Sequence, residues 1–301
     1  MNIRLTIGVF LMAVIFANIS AQNTNNSAKK ESDSSKSYIL TDVSYISDAV
    51  FMGRRDSIKA PYIMPSIGYY DKSGFYADAS ASYLVGSEEN RVDLFLVSAG
   101  YLFDVGKLGG GIAATKYFFN DDSYNVQSET QGNLTGFLSY DFEVAELSVI
   151  ASSYFNDGSS ADFFGGLMLA HNFYGMDNKL LISPSVSMYM GSQYFYEEYY
   201  NTSRLGNRKG KGTGQGSGGA INTVSSSISI DEASEFNILN VELSLPFQYY
   251  HNSFIFSIAP YWSFPQTSST ITTEDQVFTE DLDDIFYVSV GISYWFNTAK
   301  N

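Results

Sequence analysis

The sequence predicts an all-β fold, a transmembrane antiparallel up-and-down β-barrel of about twelve strands, a number that follows from alternation and turn residues. Three observations predict it. Extended segments put apolar residues on one parity and small or polar residues on the other, the period of two expected when one strand face meets oil and the other meets water. The connections alternate between tight and long, as a barrel with short turns on one side of a membrane and loops on the other requires. The last segment, Ile285 to Phe296, keeps one parity wholly apolar (Phe286, Val288, Val290, Ile292, Tyr294, Phe296) and sets Ser289, Gly291 and Ser293 at the centre of the other.

In chain order, residues 1–21 read as an export signal. Arg4 supplies a positive start, an apolar run extends from Leu5 to Ala17, and Ile19-Ser20-Ala21 ends on a small residue. That run is too short to span a bilayer as a helix. Residues 22–37 are Asn, Ser, Lys and Asp with little to bury, a flexible periplasmic lead-in. The barrel occupies 38–301. Its strands are expected at 38–51, 61–70, 74–85, 92–103, 109–119, 131–142, 147–155, 162–173, 180–191, 236–249, 253–264 and 285–296. Connections after even-numbered strands are tight, such as Asp71-Lys72-Ser73 and His251-Asn252. Those after odd-numbered strands are usually longer, above all Ser192 to Glu235 (a long external loop over about 192–235) and Pro265 to Asp284. A soluble sandwich has no reason to sort its loops by parity. Aromatic pairs at segment ends (Tyr69-Tyr70, Tyr194 to Tyr196, Tyr199-Tyr200, Tyr249-Tyr250, Tyr294 to Phe296) fit rings at the headgroup level.

Composition narrows the function. The chain of 301 residues has no Cys, which excludes disulfides, thiolate metal sites and a lipid-anchored N-terminus. A formal charge of −15 argues against nucleic acid as a partner and fits an acidic surface or a cation-favouring pore. No cofactor is expected.

Charged or polar residues expected to line the lumen are Asp78, Lys116, Asp141, Asn240, Glu242 and Gln248, placed to order water and bias ion passage. In the long loop, Arg204, Arg208, Lys209 and Lys211 precede a Gly-rich run and form a candidate basic gate. The run fails as a phosphate-binding P-loop, because Leu205 stands where the leading Gly belongs and Gly212 follows Lys211. The carboxylates of 265–284 lack EF-hand spacing and read as a solvated acidic rim. Tyr294 and Phe296 are the candidate terminal signal for the barrel-assembly machinery, with lipid and lipopolysaccharide as the surrounding partners.

Two resemblances follow from short motifs. His251-Asn252-Ser253 resembles the His-x-Ser of outer-membrane phospholipase, another twelve-stranded barrel, but falls at a turn whose chemistry already explains Asn-Ser. The stretch Tyr45-Ile46-Ser47-Asp48-Ala49-Val50-Phe51-Met52-Gly53-Arg54, followed by Ser73-Gly74-Phe75-Tyr76-Ala77, resembles the opening of the TorF-like putative porins. It departs from their pattern at Ala49, where the family has an aromatic, and at Met52, where it has Arg. The resemblance implies an outer-membrane barrel that passes small solutes. The expected function is therefore a passive channel for small hydrophilic solutes or ions. The alternative is a non-conducting structural or adhesive barrel, with a phospholipase-like enzyme ranked third.

Overall fold

A computed structural model describes residues 36–56, 58–86, 90–157, 160–201, 229–272 and 277–298. The expected signal at 1–21, nearly all of the lead-in, and Arg204, Arg208, Lys209 and Lys211 lie outside the described residues.

The wall begins with β1 (Tyr38–Ile46), β2 (Tyr62–Tyr70), β3 (Phe75–Val85), β4 (Asn90–Val105), β5 (Leu108–Phe119), β6 (Thr130–Asp141) and β7 (Glu146–Asn156). Three staves then run in two pieces each: β8 (Ala161–Ala170) with β9 (Phe173–Gly175), and β10 (Leu180–Ile182) with β11 (Ser185–Gly191). After the short helix α1 (Tyr194–Tyr199) and the two-residue β12 (Ser229–Ile230), the third is β13 (Asn237–Ser244) with β14 (Phe247–His251). The chain ends with β15 (Phe254–Pro265), the small β16 (Thr270–Thr272) and β17 (Val277–Thr279), and β18 (Ile285–Asn297).

Neighbours in sequence pair antiparallel around the wall, and β1 closes on β18 from Tyr38↔Asn297 to Ile46↔Ser289. The result is a closed twelve-stave barrel without free edges. The breaks in the composite staves have a common cause. Proline has no N–H to give the ladder, and Pro184, Pro246 and Pro260 sit in this sector. Their carbonyls still accept from His171, Ser183 and Leu245 at 3.1, 2.9 and 3.1 Å, which carries the pairing across each gap.

Five tight turns join staves on the side of the two termini, and the longer connections lie on the other, as the loop parity predicts. The turns use left-handed backbone at Gly74, Gly106, Glu143, Asn178 and Asn252. At Gly74 a side chain is excluded outright, since a Cβ would lie 2.2 Å from the Leu102 carbonyl oxygen.

The outer face is apolar on every stave, with side chains such as Val43, Ile67, Val97, Ile112, Leu134, Val149, Leu167, Leu243, Ile258 and Ile292 left exposed. Rings cluster at both ends of this band. On the turn side Phe75 meets Tyr101 at 5.0 Å and Tyr294 meets Phe254 and Phe296 at 4.7 and 4.5 Å; on the loop side Trp262 meets Phe286 at 5.2 Å. A closed barrel with an apolar belt between aromatic girdles has the architecture of an outer-membrane barrel. Among the described residues no helix is long and apolar enough to cross a membrane.

Candidate functional site

The interior is the candidate site, and it has three levels. At the loop side, the connections turn inward and fill the mouth. Residues 51–54 form a tight reversal, with Phe51 and Arg54 bridged and Met52 and Gly53 at φ 50° and 78°. Gly53 is required both for its positive φ and because a Cβ would come within 3.1 Å of the Asn240 side chain. The reversal drives Phe51 into a ring cluster with Tyr154, Phe164 and Phe195 at 5.8, 5.5 and 4.9 Å.

Helix α1 supplies much of this stopper. Six residues cannot hold a helix by propensity alone, and Gln193 before it makes no side-chain cap. Asp162, on the neighbouring wall, does the capping. Its carboxylate accepts from the Tyr194 and Phe195 amides at 2.8 and 2.7 Å, the Ser192 hydroxyl at 2.7 Å and the Asn156 amide at 2.8 Å. The helix then buries Phe195, Tyr196 and Tyr199 inside the mouth. The segment-end position of the tyrosines of 194–200 predicts a lipid girdle, and the structure places them in the mouth instead. The wall-borne cap turns them inward.

Arg54 ties the stopper together. It is 1% exposed, donates to the Thr267 carbonyl and the Ser269 hydroxyl at 2.9 Å each, faces Glu280 at 3.6 Å and lies 5.0 Å from the centre of the Tyr196 ring. Burial pulls its pKa down, and the Glu280 carboxylate opposes that pull. Tyr196 donates to Glu280, and Tyr199 to Asp56. Burial, then the Glu280 charge, pushes the Tyr196 hydroxyl pKa well above its usual value, so it remains a donor. Glu280 is thus a structural member of the mouth rather than part of a solvated rim. A three-stranded sheet of β12, β16 and β17 joins the two longest loops. The loop 120–129 also folds in, with Ser123 donating to Asp93 at 2.7 Å and Val126 buried.

Beneath the stopper lies Glu242, which accepts from Tyr287 at 2.6 Å and from Tyr189 at 3.5 Å, while Tyr287 stacks on Tyr261 at 4.7 Å. A small cavity separates Glu242, Asn240 and Tyr189 from the loop at 50–53. The third level is the wall itself. Hydroxyls pair across staves, Ser98 with Thr115 at 2.9 Å and Thr135 with Ser152 at 2.8 Å. On the β1, β2, β15 and β18 sector, Asp42, Ser44, Ser66, Ser257, Ser289 and Gly291 face inward yet stay half-buried. At the turn side, Tyr38, Tyr70 and Tyr76 stack at 5.0 and 5.5 Å beside Ile255 and Trp295.

Of the lumen candidates, Asp78, Asn240, Glu242 and Gln248 are buried on the interior face. Asp141 has the inward parity of β6 at its turn end, where it accepts from the Glu143 amide at 2.6 Å. Lys116 does not line the lumen. It is exposed on the outer face, 3.4 Å from the Gln131 amide oxygen and 5.9 Å from the centre of the Phe118 ring. On β5 the inward row is Ala113, Thr115 and Tyr117, so the intervening residue must point out. Tyr294 and Phe296 sit at the turn-side end of β18, with Phe296 exposed. His251, Asn252 and Ser253 form the β14–β15 turn, with Asn252 at φ 53°.

Arg54 and Asp162 are the residues that sequence reasoning missed. The available signals were Met52-Gly53, a loop tip ready for positive φ, and a carboxylate on the inward parity of β8.

No protein-family model matches the chain, and no curated protein matches it, so the likeness to TorF-like porins rests on the short motifs alone. Among solved structures, the chain is similar to a KdgM porin (8% identity, TM-score 0.47, covering 86% of this chain and 99% of that one). It is also similar to the translocator domain of the autotransporter NalP from Neisseria meningitidis (10%, 0.46, 94% and 93%) and to a NanC porin (10%, 0.44, 85% and 98%).

Proposed function

We propose that this chain is exported by the signal at 1–21, resides in a bacterial outer membrane, and acts as a narrow channel for small hydrophilic solutes or ions. The state described has its outer mouth shut by its own loops. One observation carries this reading: closure is made by separable loops, whereas the wall beneath them is small, polar and partly solvated around Ser44, Ser66, Ser257 and Ser289. A barrel with a purely mechanical role has no need of such a wall. Burying it without an apolar filler leaves polar groups for water to satisfy.

The test is planar-bilayer recording of refolded protein, with and without the substitution Arg54→Ala. A small or intermittent wild-type conductance that increases in the variant supports a loop-gated channel. Silence in both, across salts and voltages, would remove it and leave the second reading, a non-conducting barrel that presents its loops to partners. The dense ring packing of the mouth favours that second reading. Assembly through the barrel-assembly machinery, with Tyr294 and Phe296 as the terminal signal, belongs to either. Replacing both by Ala should lower insertion, and normal insertion would place the signal elsewhere.

A further inference from the structure

The charge inside the wall is one-sided. The strands bring Asp42, Asp78, Asp104, Asp141, Glu146 and Glu242 to the interior below the stopper. Among the described residues the strands carry two basic side chains besides His251. Arg91 is at the loop end of β4, bound to Asp93 at 2.9 Å and lying over the Tyr124 ring at 4.8 Å. Lys116 points to lipid. The turn lysines stay at the rim, where Lys107 pairs with Glu143. No strand-borne cation therefore neutralises the lower interior.

Within this set Asp104 and Glu146, which also bury carboxylate oxygens, engage other groups, which leaves Asp78 as the candidate. Asp42 accepts from Ser293 at 2.7 Å and Glu242 from Tyr287 at 2.6 Å. Asp78 is 8% exposed, and its Oδ2 is buried with no hydrogen-bond partner. It faces inward from the turn-side half of β3, with Gly68 and Ser98 opposite in register and Tyr76 and Ser80 flanking it on the same face. Burying an ionised carboxylate without compensation is costly, so the group must take up a proton or hold a counter-ion. The oxygen-bearing side chains sharing this face are the Ser80 and Ser98 hydroxyls and the Tyr76 phenol, all neutral, and Ser98 keeps a lone pair free when it donates to Thr115. One carboxylate with neutral oxygens suits a hard ion of single charge. A divalent ion ordinarily takes six or more oxygens, commonly including several carboxylates.

We propose that the interior is selective for cations and that Asp78 holds a monovalent inorganic cation on its path. The selectivity half of this inference rests on the channel reading above; the binding half does not.

The site is tested with thallium(I) as a potassium stand-in, soaked into crystals of the full chain. An anomalous peak beside Asp78 Oδ2 is expected in the wild type and its loss in Asp78→Asn. Absence of the peak in the wild type, or its survival in the variant, overturns the site. If Asp78→Asn does not fold, as judged by heat-modifiable migration, the wild-type peak alone decides. Selectivity is read separately, as the reversal potential in a potassium chloride gradient with the stopper loosened by Arg54→Ala. Cation preference that falls about threefold or more in Arg54→Ala/Asp78→Asn supports the path. Anion preference overturns it while leaving the channel intact. A silent bilayer overturns the channel reading and with it the path, and leaves the thallium result to decide the site.

Discussion

Above Glu242 the barrel interior is packed with loops, and below it the interior is lined by the wall's own side chains. The upper half is a cluster of rings from residues far apart in sequence, pinned by Arg54, Asp162 and Asp93. The lower half pairs hydroxyls between adjacent staves, each bond tied to the register of the sheet. The difference teaches that closure and containment are separate constructions. The wall can stay folded while the mouth rearranges, because the bonds that hold the stopper lie outside the strand ladders. Local opening of a loop-built region costs less than global unfolding.

The largest expected effect is at Arg54. Arg54→Ala breaks a buried charge cluster, and such losses destabilise by about 3 kcal/mol. Amide exchange over 48–56 and α1 should accelerate by about a hundredfold at constant rate in β5 and β6, as local opening requires. Equal acceleration in the wall would dissolve the distinction between the halves. Asp162→Ala comes next, at about 2 kcal/mol, because four donors lose one acceptor. It should free α1, seen as proteolysis near Tyr194, with a smaller shift in the urea midpoint of the barrel. Ser98→Ala should cost about 1 kcal/mol, the net worth of a neutral hydrogen bond, and appear only in that midpoint.

The smallest effect is expected at the turn rim. Asp71 accepts from Ser73, Ser37 and Tyr69, and these bonds hold its pKa below the usual 3.8. A depressed folded pKa means the stabilisation is present above 3.8 and fades as pH falls toward the lower folded value. The β2–β3 turn should therefore loosen on strong acidification, read from exchange of the Ser73 amide, while Asp71→Asn removes the pH dependence.

The staves were legible because each satisfies a local rule. Alternation sets the two faces and turn chemistry sets the ends, and both are written in adjacent residues. The stopper was not, because its parts meet only after closure. Nothing near Tyr194 announces that Asp162, on another stave, will cap its helix, and nothing near Arg54 announces Ser269 or Glu280. The error at Lys116 has a different origin. Charge suggested an inward position, although Ile112 and Phe118 on the same parity already marked that row as the oily one. Asp78 was readable from alternation, but its lack of a partner needed the neighbouring staves in place.

Lys116 consequently serves as a ruler for the bilayer. It stands eight residues beyond Leu108 along β5, a climb of about 20 Å for a strand tilted near 40°. An ammonium is expensive in hydrocarbon but comfortable where its flexible stem can carry it to phosphates. The protein can therefore sink no further than this residue allows. In the membrane placement proposed above, oil ends at its level and the plugged mouth stands above it.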